Sequence, residues 1–281
     1  MAWSAMVAAG CVSAAAAMGG VMDAQGGTGG PGDESSKALE IGAASSAPPS
    51  AAELPAEDGD VLAYWSRRVE LGVNGSDGNS ENFNLRAGAE FERVTDRHET
   101  LVGLLYSYAT SDGDSTKNRL EAQGKNDFLL GPSSPWSVFV QGKFEYDEFQ
   151  RWKYRTQTFG GLGYAFVKEE GRLVRGRVGS GVQHEFGKDA RNEFIPEGLL
   201  GLDVEWKATE RTTLFAMAEY YPSFEHAGDY RALGRAGLEV MVDPALKMSL
   251  RLGVEDRYNS QPGVGKARND VEYFITLSFA F

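Results

Sequence analysis

From Tyr64 to the C-terminus, hydrophobic and polar residues alternate with a period of two. The closing segment shows the pattern most clearly, because every odd position carries a large apolar side chain: Val271, Tyr273, Ile275, Leu277, Phe279 and Phe281. Successive side chains of a strand point to opposite faces of a sheet. The alternation therefore predicts a long strand with one apolar face.

Twelve segments carry this alternation, at residues 65–74, 82–93, 100–110, 117–127, 136–147, 154–167, 173–186, 195–207, 212–221, 230–242, 246–258 and 271–281. They are longer than the five or six residues typical of strands in soluble proteins. A tilted strand needs about nine to eleven residues to cross a bilayer, and bacterial single-chain outer-membrane barrels have an even number of strands. The pattern predicts an all-β fold, a transmembrane antiparallel up-and-down β-barrel of about 12 strands.

A soluble, ligand-binding β-barrel is the alternative fold, because it also alternates apolar and polar residues. The polar face, however, carries charges in nearly every predicted strand. An apolar interior enclosed by twelve strands would also be too wide for side chains to fill. A charged interior with an apolar outer face avoids this problem and requires lipid around the barrel.

The predicted connections alternate in length. Those after even strands are mostly short, whereas those after odd strands are longer and more polar, including SDGDST at 111–116 and NSQPGVGKARND at 259–270. Outer-membrane barrels have short periplasmic turns and longer extracellular loops. This asymmetry predicts that both chain termini are periplasmic. Aromatic residues such as Trp65, Trp136 and Trp206 lie near segment ends, as in interfacial girdles.

The N-terminal region has a different composition. Residues 1–24 are mostly small and apolar and predict a secretory signal peptide. Residues 25–62 are rich in Gly, Ala, Ser, Pro and acidic residues, and predict a disordered linker. Residues 63–281 are assigned to the barrel. Beyond residue 22 no apolar run is long enough for a transmembrane helix.

Charge and cysteine content exclude several functions. The chain has 28 Lys and Arg against 40 Asp and Glu, a formal net charge of −12. Nucleic-acid binding needs clustered basic surface, so no nucleic-acid partner is expected. The single cysteine excludes a disulfide framework and cysteine-built zinc sites.

Several multi-residue motifs occur in order along the chain: LGVNGSDGNS at 71–80, DEFQ at 147–150, YRT at 154–156, GGLGY at 160–164, YPS at 221–223, GDYR at 228–231, and the closing segment from Pro262 to Phe281. Through these motifs, residues 65–281 resemble the domain-of-unknown-function family that includes the salt-induced outer-membrane proteins of Gram-negative bacteria. The resemblance implies an outer-membrane β-barrel without an established activity. It implies no catalytic or binding residues, and the acidic N-terminal tail is not part of it. The terminal Phe281 further resembles the signal recognised by the outer-membrane assembly machinery.

The sequence offers few candidates for catalysis or metal binding. The three histidines, His98, His184 and His226, lack the spacing of metal ligands. An outer-membrane lipid- or ester-hydrolysing enzyme is the alternative function. Ser180 and His184 lie about 13 Å apart if they share one strand, which is too far for a hydrogen bond. The Asp-Gly pairs at 77–78 and 112–113 lack a full calcium-ligand set and are typical of hairpin turns. No cofactor is expected.

The polar face of the strands provides the remaining candidates, which are charged residues expected to line the lumen: Arg86, Arg119, Glu121, Lys143, Glu145, Arg175, Arg177, Asp203, Glu205, Arg251, Glu255 and Glu272. They either pair across a narrow lumen and close it, or line a path for a small hydrophilic solute. We expect a non-enzymatic outer-membrane protein that contacts lipid and lipopolysaccharide. It acts either as a narrow channel or as a structural barrel in osmotic or envelope stress, and only the family resemblance implies the stress role.

Overall fold

The computed structural model describes residues 64–77, 81–131, 133–187, 192–226, 228–262 and 265–281. Its elements are twelve β-strands: β1 (Ser66–Ser76), β2 (Asn82–Val94), β3 (His98–Ser111), β4 (Asp114–Leu129), β5 (Trp136–Asp147), β6 (Tyr154–Glu169), β7 (Arg172–Phe186), β8 (Phe194–Lys207), β9 (Thr212–Pro222), β10 (Tyr230–Asp243), β11 (Met248–Asn259) and β12 (Asn269–Ala280). Each predicted strand is confirmed, with boundaries that differ by three residues or fewer. The predicted signal peptide and linker lie outside the described residues.

The strands form one closed barrel in which each pairs antiparallel with its neighbours in sequence. The first and last strands complete the ring, with Arg68 opposite Ala280 and Leu71 opposite Leu277. Closure leaves no unpaired sheet edge, so the backbone groups of the ladder are satisfied within the sheet. The fold predicted from the alternation is therefore confirmed.

The two ends of the barrel differ in their connections. The end that holds both barrel termini, here called the terminal end, has connections at 95–97, 130–135, 170–171, 208–211 and 244–247. The opposite end, here called the loop end, has connections at 77–81, 148–153, 187–193, 223–229 and 260–268, which are mostly longer. One prediction about these connections is wrong. β3 and β4 extend further than expected and are joined by Asp112 and Gly113 alone, both with positive φ. A two-residue turn of this kind matches the twist of the strands it joins.

The outer face of the barrel is apolar. On β12, Tyr273 is 80% exposed and Ile275 63%, and exposed large hydrophobic side chains also occur on the other strands. The buried side chains, in contrast, are mostly polar or charged and point into the lumen. This distribution is the inverse of that in a soluble protein and is the one found in membrane barrels. No helix among the described residues is long and apolar enough to span a membrane.

A small apolar cluster also occupies the lumen, formed by Phe139, Phe159, Leu199 and Tyr221. It packs beside glycines of β6 and β7, and the ring of Phe139 would lie only 2.9 Å from a Cβ on Gly179. The glycines let bulky rings approach the wall closely. The cluster itself was not predicted, because Phe139 and Phe159 stand at positions that the alternation assigns to the polar face.

Candidate functional site

The lumen contains a cluster of ion pairs, here called the central cluster and formed by Arg119, Glu121, Glu145, Arg235, Glu255 and Arg257. Glu255 is only 1% exposed. It accepts hydrogen bonds from Arg235 Nη2 at 2.6 Å and from Arg257 Nε at 2.7 Å. Arg119 Nη2 donates to Glu255 Oε1, the oxygen that also accepts from Arg257, at 3.5 Å. A carboxylate removed from water in this way needs several donors to offset the loss of hydration.

Arg257 joins opposite walls of the barrel. It lies on β11, and its Nη1 donates to Glu145 on β5 at 3.1 Å. Its Nη2 donates to Glu121 on β4. In the ring of twelve strands, β5 and β11 are six positions apart and therefore face each other across the lumen. This one side chain thus crosses the interior that twelve strands would otherwise leave open.

A second group of ion pairs lies nearer the terminal end. Asp127 accepts from Arg175 at 3.3 Å and from Arg177 at 3.0 Å, and is itself 1% exposed. Arg177 also contacts Asp203, and Arg175 contacts Glu99. The pairs of Asp127 with Arg175 and Arg177 again join strands that are not neighbours, because β4 and β7 are three positions apart, whereas Asp203 lies on the neighbouring strand β8.

The remaining predicted residues connect to these groups. Glu272 contacts Lys117 at 2.8 Å, Arg119 at 3.2 Å and Arg86 at 3.4 Å. Arg251 donates to Glu70 at 3.2 Å, and Lys143 lies 3.5 Å from Glu121. The structure therefore brings eleven of the twelve predicted lumen residues into ion pairs. Glu205 is the exception, since it is exposed and takes part in no ion pair between described residues.

Several lumen charges were not named from the sequence as candidates: Glu70, Glu99, Asp127, Arg155, Glu197 and Arg231. For all but Glu99 the alternation contained the signal, because these residues lie at predicted polar positions of their strands; Glu99 precedes the predicted third strand, which begins at residue 100. Arg155, for example, stands opposite Glu185 and donates to it at 2.8 Å. Arg231 similarly donates to Glu197 at 2.6 Å.

Two cavities lie along the lumen. The larger, of about 110 Å³, is at the loop end and includes Arg155, Arg231 and Trp152 in its lining. The smaller, of about 80 Å³, extends toward the terminal end and includes Arg68, Arg235 and Glu121. The contact of Arg257, which lines the larger cavity, with Glu121, which lines the smaller one, connects the two linings. The central cluster therefore stands between the cavities.

The β5–β6 connection contributes to the loop-end cavity. Trp152 is buried although it lies outside the strands, and the guanidinium carbon of Arg155 is 3.8 Å from its ring centroid. Arg231 stacks in the same manner on Tyr221, at 4.8 Å. Such contacts hold a guanidinium group in one orientation, in addition to the attraction between the charge and the ring.

The residues considered for catalysis and metal binding occupy other places. His184 lies on the outer face of β7, with its ring between Phe186 and Phe194 at centroid distances of 4.0 and 4.3 Å. Ser180 lies on the same strand, four residues away. Among the described residues, no group of three or more His, Cys, Asp or Glu side chains is arranged to bind a metal ion. Phe281 is exposed, and its N–H donates to the Arg67 carbonyl beside the closing strands.

Solved structures with a similar arrangement of strands share little sequence with this chain. The β-domain of the Bordetella autotransporter BrkA is 13% identical, with a TM-score of 0.37 over 77% of this chain and 97% of its own. The translocator domain of the autotransporter NalP from Neisseria meningitidis is 10% identical, with a TM-score of 0.39 over 77% and 88%. A bacterial polysaccharide outer membrane secretin is 8% identical, with a TM-score of 0.40 over 79% and 99%. At these identities the similarity concerns strand architecture alone.

The sequence itself places the chain in a family. No curated protein sequence matches it. A family model described as a protein of unknown function, DUF481, matches residues 69–281, from the first strand of the barrel to its last residue. The family resemblance inferred from the ordered motifs is therefore confirmed at this level. The chain belongs to the DUF481 family of proteins of unknown function.

Proposed function

We propose that this protein is a non-enzymatic outer-membrane β-barrel that supports the envelope structurally, with a resting lumen closed to solutes. Its apolar outer face would contact lipid and lipopolysaccharide, and both barrel termini would be periplasmic. The observation that carries the proposal is the contact of Arg257 with Glu145 on the opposite wall. A side chain that bridges opposite strands, and is held by further carboxylates, obstructs the path along the lumen.

The near balance of charge in the lumen supports closure over open conduction. A selective pore displays rings of like charge to passing ions. Here basic and acidic side chains pair with each other, so their charges are already compensated within the lumen. The cavities on both sides of the central cluster leave a narrow channel as the second candidate, in which rearrangement of these pairs would open a path.

Planar-bilayer conductance of the refolded full chain tests closure. We expect the native protein to give no discrete current steps. The double variant Arg257→Ser, Glu145→Ser removes both partners of the cross-lumen contact, so neither charge is left without its counterpart. We expect it to conduct in reproducible steps. The matched control is Arg211→Ser, Glu210→Ser, which removes the same charges from an exposed terminal-end turn. If the native protein gave current steps as large as those of the lumen variant, the proposal that the lumen is closed would be contradicted.

A substitution on the outer face tests the membrane location. Ile275 lies in the middle of β12 and is exposed. If lipid surrounds this face, Ile275→Arg should lower the free energy of unfolding by about 2–4 kcal/mol in lipid vesicles. Ala208→Arg, in an exposed turn, should change it by less than about 0.5 kcal/mol. Equal, small effects of both variants in urea unfolding would indicate that water surrounds the barrel.

A further inference from the structure

The loop-end cavity differs in charge from the cavity toward the terminal end. Of the described residues that line the loop-end cavity, seven are basic and three are acidic. The other cavity is lined by five basic and four acidic residues. The formal charge of the whole chain is −12, so a basic cavity is not a consequence of overall composition. The excess of positive charge is local to the loop end.

Buried arginines supply part of this excess. Arg155 and Arg231 both line this cavity, and each is held in an ion pair. Their partner carboxylates, Glu185 and Glu197, do not belong to the cavity lining. These two carboxylates hold the arginines from the barrel wall, and the guanidinium groups line the cavity together with Glu145, which lies 3.6 Å from Arg155. Stacking on Trp152 and Tyr221 further restricts these groups.

Two more basic residues stand at the mouth of the cavity. Lys266 and Arg268 belong to the β11–β12 connection, line the cavity and are exposed. Neither takes part in an ion pair with a described residue. The rim therefore carries exposed positive charge, and the cavity behind it carries positive charge that is fixed in position. Together these charges attract anions from solution into the cavity.

We propose that the loop-end cavity is a binding site for a small soluble oxyanion of the phosphate or carboxylate class. A cavity of about 110 Å³ holds several water molecules, and hence an ion of this size. Guanidinium groups donate paired hydrogen bonds to planar or tetrahedral oxyanions and are the preferred protein ligands for them. The proposal does not depend on whether the lumen conducts, because the cavity opens on one side of the central cluster.

Titration with inorganic phosphate tests the site, using the refolded full chain in detergent at low ionic strength. Calorimetry should show saturable binding, and the fluorescence of Trp152 should change with the same midpoint. Choline, a cation of comparable size, should not bind. Absence of saturable phosphate binding to folded protein, or equal binding of choline, would overturn the proposal.

Matched charge variants locate the site. Lys266→Gln, Arg268→Gln should weaken phosphate binding about fivefold, because two exposed charges are lost. Arg93→Gln, Arg97→Gln removes the same charge from exposed positions at the terminal end and should change the affinity by less than about twofold. Trp152→Phe should lose most of the fluorescence response, because this tryptophan lines the cavity. Equal weakening by the two double variants, or an unchanged response in Trp152→Phe, would place binding elsewhere and overturn the proposal.

Discussion

Replacing Glu255 by alanine is expected to lower the free energy of unfolding by about 3–5 kcal/mol. The native carboxylate neutralises Arg235, Arg257 and Arg119 in an interior from which water is largely excluded. Removing it takes from Arg235 its one ion-pair partner among the described residues, and leaves Arg257 and Arg119 with fewer carboxylates around them. Urea unfolding of the refolded protein in vesicles, followed by the heat-modifiable shift on a gel, measures the loss.

A double-mutant cycle separates this effect from simple loss of volume. Arg235→Ala in the Glu255→Ala background should recover part of the lost stability, because it removes one of the uncompensated charges. Glu210→Ala, on an exposed turn, is the control and should change stability by less than about 0.5 kcal/mol. A loss below about 1 kcal/mol for Glu255→Ala would mean that water solvates the arginines. The lumen would then be wet, contrary to the proposed closure.

Gly181→Ala is expected to cost about 3 kcal/mol or more, or to prevent folding of the barrel. A Cβ at this position would lie 2.0 Å from the Thr158 carbonyl oxygen and 2.6 Å from the ring of Phe159. Both neighbours belong to β6, so the clash can be relieved only by shifting the paired backbone or the apolar cluster. The yield of heat-modifiable protein after refolding measures the effect.

Gly124→Ala provides the matched control, since a Cβ there meets no atom within 4 Å. This second strand glycine should tolerate the methyl group, and alanine loses less conformational entropy on folding than glycine. We therefore expect a change within about 0.5 kcal/mol of the native stability, in either direction. Similar refolding yields for the two variants would show that β6 and β7 separate easily, and would contradict the close packing.

The strands could be predicted because their signal is local. Alternation in β5 from Trp136 to Asp147 needs no knowledge of any partner strand. The same periodicity identified most of the charged positions on the inner face. The periodicity did not predict apolar residues that stand at inward positions, such as Phe139. Asp112 and Gly113 illustrate a second limit, because the extent of β3 and β4 decides whether the adjoining polar residues form a loop or continue the ladder.

The pairing of lumen charges could not be predicted from the same pattern. Arg86 and Glu272 are separated by 186 positions along the chain and meet only because β1 and β12 close the barrel. Arg257 and Glu145 meet because they lie on opposite strands at similar depth. Both facts depend on strand order and on the stagger between strands, which alternation within a strand does not contain.

The sequence by itself determined an all-β chain of twelve long strands with one apolar and one charged face, because side-chain direction in a strand depends only on the parity of the position. It also determined the family to which the chain belongs. Only the tertiary structure decided that the charges meet in pairs across the lumen and that Trp152 enters it. It alone also decided that basic residues gather around the loop-end cavity. These features arise when closure of the ring brings distant strands together, and that contact is a property of the whole barrel.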